Sequence, residues 1–272
     1  MTIRVAASAL AAFLVLANAA DAANSGAELV QHRAFYKMSL ASSRSSGGVT
    51  SASGAMSYKF TDSCDGWTVE NKTALNFSYS DGAPVATTWD FVTWESKDGL
   101  HYRFRVRSTK DGTVDQEIDG VADLDGKGKG GVAKFTRPEA MTLPLPQGTL
   151  FPTEHTVRLI EMALRGEKLV ERTLFDGSGV DQIFAVNAVI GKSRPVQTPT
   201  NTPGVNASLL ATPSWAMQLA FFPDDSNELD PDYEVRLRYY QNGVADEVLQ
   251  SFGNFALRGT LEKLETLPKP DC

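Results

Sequence analysis

The chain has 272 residues, 42% of them hydrophobic, with a formal charge of −7. That length affords a core of ordinary size, and the acidic balance argues against nucleic acid or an anionic lipid surface as the main partner. Its histidines, His32, His101 and His155, and its cysteines, Cys64 and Cys272, show neither His-x-x-x-His nor Cys-x-x-Cys spacing, so no metal site is expected.

At the start, Arg4 precedes an apolar or small run from Val5 to Leu16, broken only by Ser8. Ala17-Asn18-Ala19 or Ala20-Asp21-Ala22 then supplies a small-x-small cleavage site. The run is too short to cross a bilayer, which takes about 20 residues. Residues 1–22 therefore read as a signal peptide, and 23–272 as one β-rich domain folding outside the cytoplasm. No Cys follows the apolar run, so a lipid anchor is not expected, and no later segment is long enough to span a membrane. In an oxidising compartment the even pair Cys64 and Cys272 is expected to bridge. A loop of that length is worth roughly 5 kcal/mol at most in the chain-entropy account. The bridge would fasten the last strand to an early hairpin and so close the fold.

Period-two patterning then dominates. His32, Ala34, Tyr36, Met38 and Leu40 alternate with more polar neighbours, and a loose Ser/Gly stretch runs from Ser42 to Ser53. Met56, Tyr58 and Phe60 resume the alternation, and Asp65-Gly66 marks a hairpin turn. Trp67, Val69, Thr73, Leu75, Phe77 and Tyr79 share one parity, with Asn71 the polar exception. Asp81-Gly82, Asp98-Gly99 and Asp111-Gly112 mark further turns, and Tyr102, Phe104 and Val106 alternate with Arg103, Arg105 and Arg107. This is the pattern of an antiparallel meander. Thr153 as N-cap, Val157, Ile160 and Leu164 on one face and Gly166 beyond predict a three-turn helix with its apolar face on the sheet. Strands return at Leu169 to Phe175 and Gln182 to Ile190, and Pro195 to Gly204 reads as an exposed loop. Trp215, Met217, Leu219 and Phe221, then Tyr233, Val235, Leu237 and Tyr239, alternate again; Asn242-Gly243 turns the chain, and Val248 to Leu264 closes it. Period-two signal on both sides of the helix predicts a mainly β fold: one curved antiparallel sheet wrapped around a helix.

No stretch carries a catalytic constellation. Asp176-Gly177-Ser178-Gly179 lacks the first glycine of a Gly-x-Ser-x-Gly elbow and reads as a turn. Gly126 to Gly131 is glycine-rich, but a strand-like run follows where a phosphate loop needs a helix. Arg103, Arg105 and Arg107 on one side of one strand read first as a solvated face, with anionic head groups or an acidic partner as the functional alternative. The aromatics around Trp67, Trp89 and Trp94 belong to a core or to an apolar groove.

Several longer runs resemble the EipB cell-envelope-integrity family of Gram-negative bacteria. They are His32-Arg33-Ala34-Phe35-Tyr36, Ser53-Gly54 through Phe60, Cys64-Asp65-Gly66-Trp67, Trp94-Glu95-Ser96 with Asp98-Gly99, Leu145 through His155, and Leu174-Phe175-Asp176-Gly177. The resemblance implies a periplasmic protein with a strongly bent, spiral-like sheet, a helix in its concave side and a Cys64–Cys272 disulfide. It also implies a role in envelope integrity under stress, with a tetratricopeptide-repeat protein as partner, and no enzymatic activity or cofactor. The expected function is thus a non-catalytic periplasmic protein acting through protein or envelope-component binding. A carrier of lipid or lipoprotein in a concave apolar face is the alternative, and a hydrolase of envelope polymers a third.

Overall fold

A computed structural model describes residues 26–44, 48–196, 202–223 and 230–272, so the segment read as a signal peptide, 1–22, lies outside the described residues. The strands are β1 (His32–Ser43), β2 (Val49–Asp62), β3 (Gly66–Tyr79), β4 (Val85–Ser96), β5 (His101–Lys110), β6 (Thr113–Leu124), β7 (Gly131–Arg137) and β8 (Met141–Leu145). After helix α1 (Pro152–Leu164) come β9 (Leu169–Leu174), β10 (Phe184–Arg194), β11 (Ser214–Pro223), β12 (Tyr233–Tyr240), β13 (Ala245–Ser251) and β14 (Phe255–Thr266). The expected loose stretch Ser42 to Ser53 is mostly strand, because β1 and β2 extend into it from both sides.

Among the described residues all fourteen strands form one sheet in the order β8-β7-β6-β5-β4-β3-β2-β1-β14-β13-β12-β11-β10-β9. Each neighbouring pair is antiparallel, so short turns suffice. At the β5–β6 turn, Asp111 and Gly112 both take positive φ, 50° and 80°, as the hairpin turn preferred by twisted strands requires. The first and last strands lie side by side in the middle of the sheet, and its edges are β8 and β9. The sheet does not close, but Leu150 makes a parallel bridge to Leu174 at the end of β9, donating its N–H to the Thr173 carbonyl at 2.9 Å.

Inward positions alternate with solvent-facing ones. On β5, Tyr102, Phe104 and Val106 are buried and the arginines between them are exposed. Three buried clusters result. One joins Leu159, Ile160, Met162 and Ala163 of α1 to β9, β10 and β11. A second lies on β1, β2, β14 and the Val244–Val248 region. The third packs Tyr102, Phe104, Ile118 and Phe135 against Phe151 and Phe175. The helix also donates hydrogen bonds to β4, and the residue before it stacks on Tyr102 of β5 with ring centroids 4.9 Å apart. Strands from both halves of the sheet thus meet one helix, which is possible only if the sheet bends around it.

Two expectations for the helix need correction. Phe151, not Thr153, is the N-cap residue; its side chain makes no capping bond, and Pro152 opens the helix. Its buried residues are Thr153, His155, Leu159, Ile160, Met162 and Ala163; of the expected stripe Val157, Ile160 and Leu164 only Ile160 is among them, because protein packs on the helix from more than one side.

Cys64, in the β2–β3 turn, and Cys272 lie 5.8 Å apart at their Cα atoms, with their sulfurs in bonding distance. This link follows β14 and reaches over β1 to the β2 hairpin, in the middle of the sheet. It fastens the end of the last strand to an early hairpin, as expected, and does so in the middle of the sheet rather than between its two edges. The edges are drawn together instead by the segment running through Leu150 into the helix.

Candidate functional site

The inward rows converge on a cavity of about 190 Å³ at the start of the helix. Tyr58 and Phe60 come from β2, Val69 and Asn71 from β3, Phe91 and Thr93 from β4, and Tyr102 and Tyr239 from β5 and β12. Pro152, Thr153 and Thr156 form the helix side. Asn71, the polar exception in an apolar row, lies here; its side-chain oxygen accepts from the Thr73 hydroxyl at 3.3 Å. Tyr102 donates its hydroxyl to the Asp176 carbonyl at 2.7 Å, and burial raises its phenol well above the usual range.

Behind the cavity lies Glu95, which sequence reasoning passed over. It continues the inward row Trp89, Phe91, Thr93 on β4 and is 2% exposed. Its two carboxyl oxygens accept the backbone N–H groups of Thr153 and Glu154, each at 2.7 Å. A strand residue 58 positions away in sequence therefore supplies the cap that Phe151 cannot. It satisfies two of the N–H groups left open at this helix start, where Pro152 has none, and faces the positive end of the helix dipole. Burial pushes this carboxyl up to about 7, against the lowering effect of the two amide bonds. One sign was available in the sequence: a charged residue standing on the apolar parity of a strand.

The other residues weighed from sequence are scattered. His32 and His155 are buried, each with Nε2 unpartnered; His32 Nδ1 lies 2.7 Å from the Val30 carbonyl. Burial lowers both, His155 to about 4 with the nearby Arg172 guanidinium adding to the effect. His101 is exposed beside Asp123 at 2.7 Å. Among the described residues no three His, Cys, Asp or Glu side chains come together to hold a metal. Ser178 lies in a turn closed by its own N–H donating to the Asp176 carboxylate at 2.8 Å. The Gly126–Gly130 segment is the β6–β7 hairpin loop. Arg105 and Arg107 pair with Asp119 and Glu117 across the β5–β6 register.

An unclosed, strongly bent antiparallel sheet holding one helix in its hollow defines a barrel-like protein whose cavity polar groups are largely engaged in holding the fold. The chain belongs to the EipB-like family, whose model matches residues 23–268. It is 33% identical to the cell envelope integrity protein EipB of Brucella abortus (strain 2308), over 97% of this chain and 94% of that protein. It is also similar to a crystal structure from Brucella abortus described as a β-barrel-like protein of a domain of unknown function. The TM-score is 0.81 at 31% identity, covering 89% of this chain and all of the other.

Proposed function

We propose that this chain is a non-catalytic periplasmic protein that maintains cell envelope integrity by binding another protein or an envelope component. The observation that carries the reading is the near full-length similarity to a protein named for that role. The family match begins at residue 23, where the expected signal peptide ends, which supports export and a mature chain of 23–272. Export would place Cys64 and Cys272 where a disulfide persists. Binding is favoured over catalysis because the Glu95 oxygens are engaged by helix amides, and neither His32 nor His101 bonds a hydroxyl or thiol. A periplasmic tetratricopeptide-repeat protein is the partner that the family resemblance suggests. Deleting the gene should sensitise cells to membrane-disrupting agents, and the exported chain should restore resistance. Equal growth of deleted and parental cells across several such agents would refute the role.

A specific observation favours a carrier of lipid or lipoprotein as the second reading. Leu75, Trp89, Phe91, Val235 and Leu237 stand on the inward face yet remain half-buried. Such a wall could receive an acyl chain. Native mass spectrometry of protein purified from the periplasm should then show a bound lipid, and its consistent absence would remove this reading.

A further inference from the structure

The outer face of β3 to β7 carries a row that crosses the strands. The register sets Thr68 beside Trp94, Trp94 beside Arg103, Arg103 beside Val121, and Val121 beside Lys134. In the two neighbouring rows each arginine has a carboxylate partner. In one, Arg105 meets Asp119 at 2.7 Å; in the next, Arg107 meets Glu117 at 3.2 Å, and Arg137 reaches Glu117 at 2.7 Å. The Trp94 row contains no carboxylate, and among the described residues neither Arg103 nor Lys134 has an acidic partner.

Between these two cations Val121 is 41% exposed. The Arg103 guanidinium lies 4.9 Å from the Trp94 ring centroid, and the Trp94 indole N–H donates to the Ser63 hydroxyl at 3.0 Å. The ring is therefore held in place, and the arginine rests on it with its donors free toward solvent. A shallow hollow of about 770 Å³ lies over this row and the next, where Asp119 also lines it but is held by Arg105 and Arg137. Two uncompensated cations flanking exposed apolar surface are out of character for a molecule of net charge −7. Such a patch attracts an anion that also brings apolar contact.

We propose that this row is the docking surface for an acidic, partly apolar segment of a partner protein; the inference deepens the proposed function and rests on it. Arg103 and Lys134 stand two strands apart, about 10 Å. That matches carboxylates at positions i and i+3 of an extended polyproline II segment, which rises about 3.1 Å per residue with three residues per turn. Arg103 and Lys134 pair with the acids, and Trp94 and Val121 take the apolar part.

The test uses the mature chain and a fluorescent peptide repeating Glu-Pro-Leu-Glu, read by anisotropy. Saturable binding is expected, weakening as salt is raised and the charges are screened. R103E/K134E should weaken it about tenfold or more, since reversal turns two attractions into repulsions. K72E, on the same outer face but outside the row, should bind as the parent does. Circular dichroism and thiol alkylation verify that the variants fold. Equal binding of a Gln-Pro-Leu-Gln peptide, or no loss in R103E/K134E, would overturn the proposal. So would phosphatidylglycerol vesicles binding through these two residues while the peptide does not. Failure here alone, with deleted cells still sensitised, removes the docking surface and leaves the envelope role; unsensitised cells remove the role without touching the binding result.

Discussion

β3 and β5 have the same alternation and opposite fates. On β5 the inward Tyr102, Phe104 and Val106 are 1%, 3% and 1% exposed. On β3 the inward Val69, Asn71, Thr73 and Leu75 stay half-buried. The difference lies in what stands opposite. β5 faces Phe151 and Phe175, with ring centroids 4.9 to 6.4 Å from Tyr102 and Phe104, whereas β3 looks across a cavity toward Tyr239. Alternation assigns a residue to a face; only a tertiary partner turns that face into core.

The sharpest way to break the comparison is to truncate both sides of it. Phe104→Ala should destabilise by about 3–5 kcal/mol, because the Phe135 and Phe175 rings packed around it cannot collapse into the gap. Leu75→Ala should cost under about 1.5 kcal/mol, since less apolar surface returns to water. Denaturant unfolding of the two variants checks this, and equal losses would show that the β3 side is packed as tightly as the other.

Removing the link in the sheet's middle comes next. With the cysteines 208 positions apart in sequence, reduction or Cys64→Ser with Cys272→Ser should lower stability by about 2–5 kcal/mol. Alkylation before and after reduction should find both thiols protected only in the unreduced protein.

Glu95 gives a pH-resolved test of the boundary between the two regions. Its carboxyl goes from the ordinary 4.5 to about 7 in the folded state. Between those values the folded protein holds a proton that the unfolded chain has lost, so stability falls as pH rises through that window, by about 3 kcal/mol. His155, lowered from 6.5 to about 4, works the other way: its contribution is complete above 6.5 and is lost as pH falls toward 4. The comparison must therefore be between parent and Glu95→Gln. The stability difference should shift in favour of the variant by about 3 kcal/mol from pH 5 to pH 8, the histidine effect cancelling. A difference that is flat with pH would place the carboxyl outside that range.

Much of the sheet was legible in the sequence. The inward residues of β1, β2, β5, β11 and β12 and the Asp-Gly and Asn-Gly turns follow from period two and turn chemistry alone. What was not legible depends on pairs far apart in the chain. Nothing local to Phe151 tells that β4 will supply its cap, so Thr153 looked like the better N-cap. Nothing local to Leu169 or Leu145 marks those strands as the edges, so the disulfide looked like the closing element. Asn71 was visible as an exception but not as the wall of a cavity, because the cavity exists only once β3 and β12 face each other. The Trp94 row is hidden for the same reason, its members lying on different strands and aligned only by register.

The adjacency of β1 and β14 also has a consequence for how the molecule is made. A chain emerging from its N-terminal end can zip β1 through β8 as successive hairpins, and later β9 through β13 as a second flap. The seam that joins the two flaps needs the strand that comes last. Until Phe255–Thr266 arrives, β1 presents an unpaired border able to stick to other chains. A nascent copy cut short before that strand would carry two half-shells and no spine, and a folding helper that shields the waiting border would have its greatest effect in that interval.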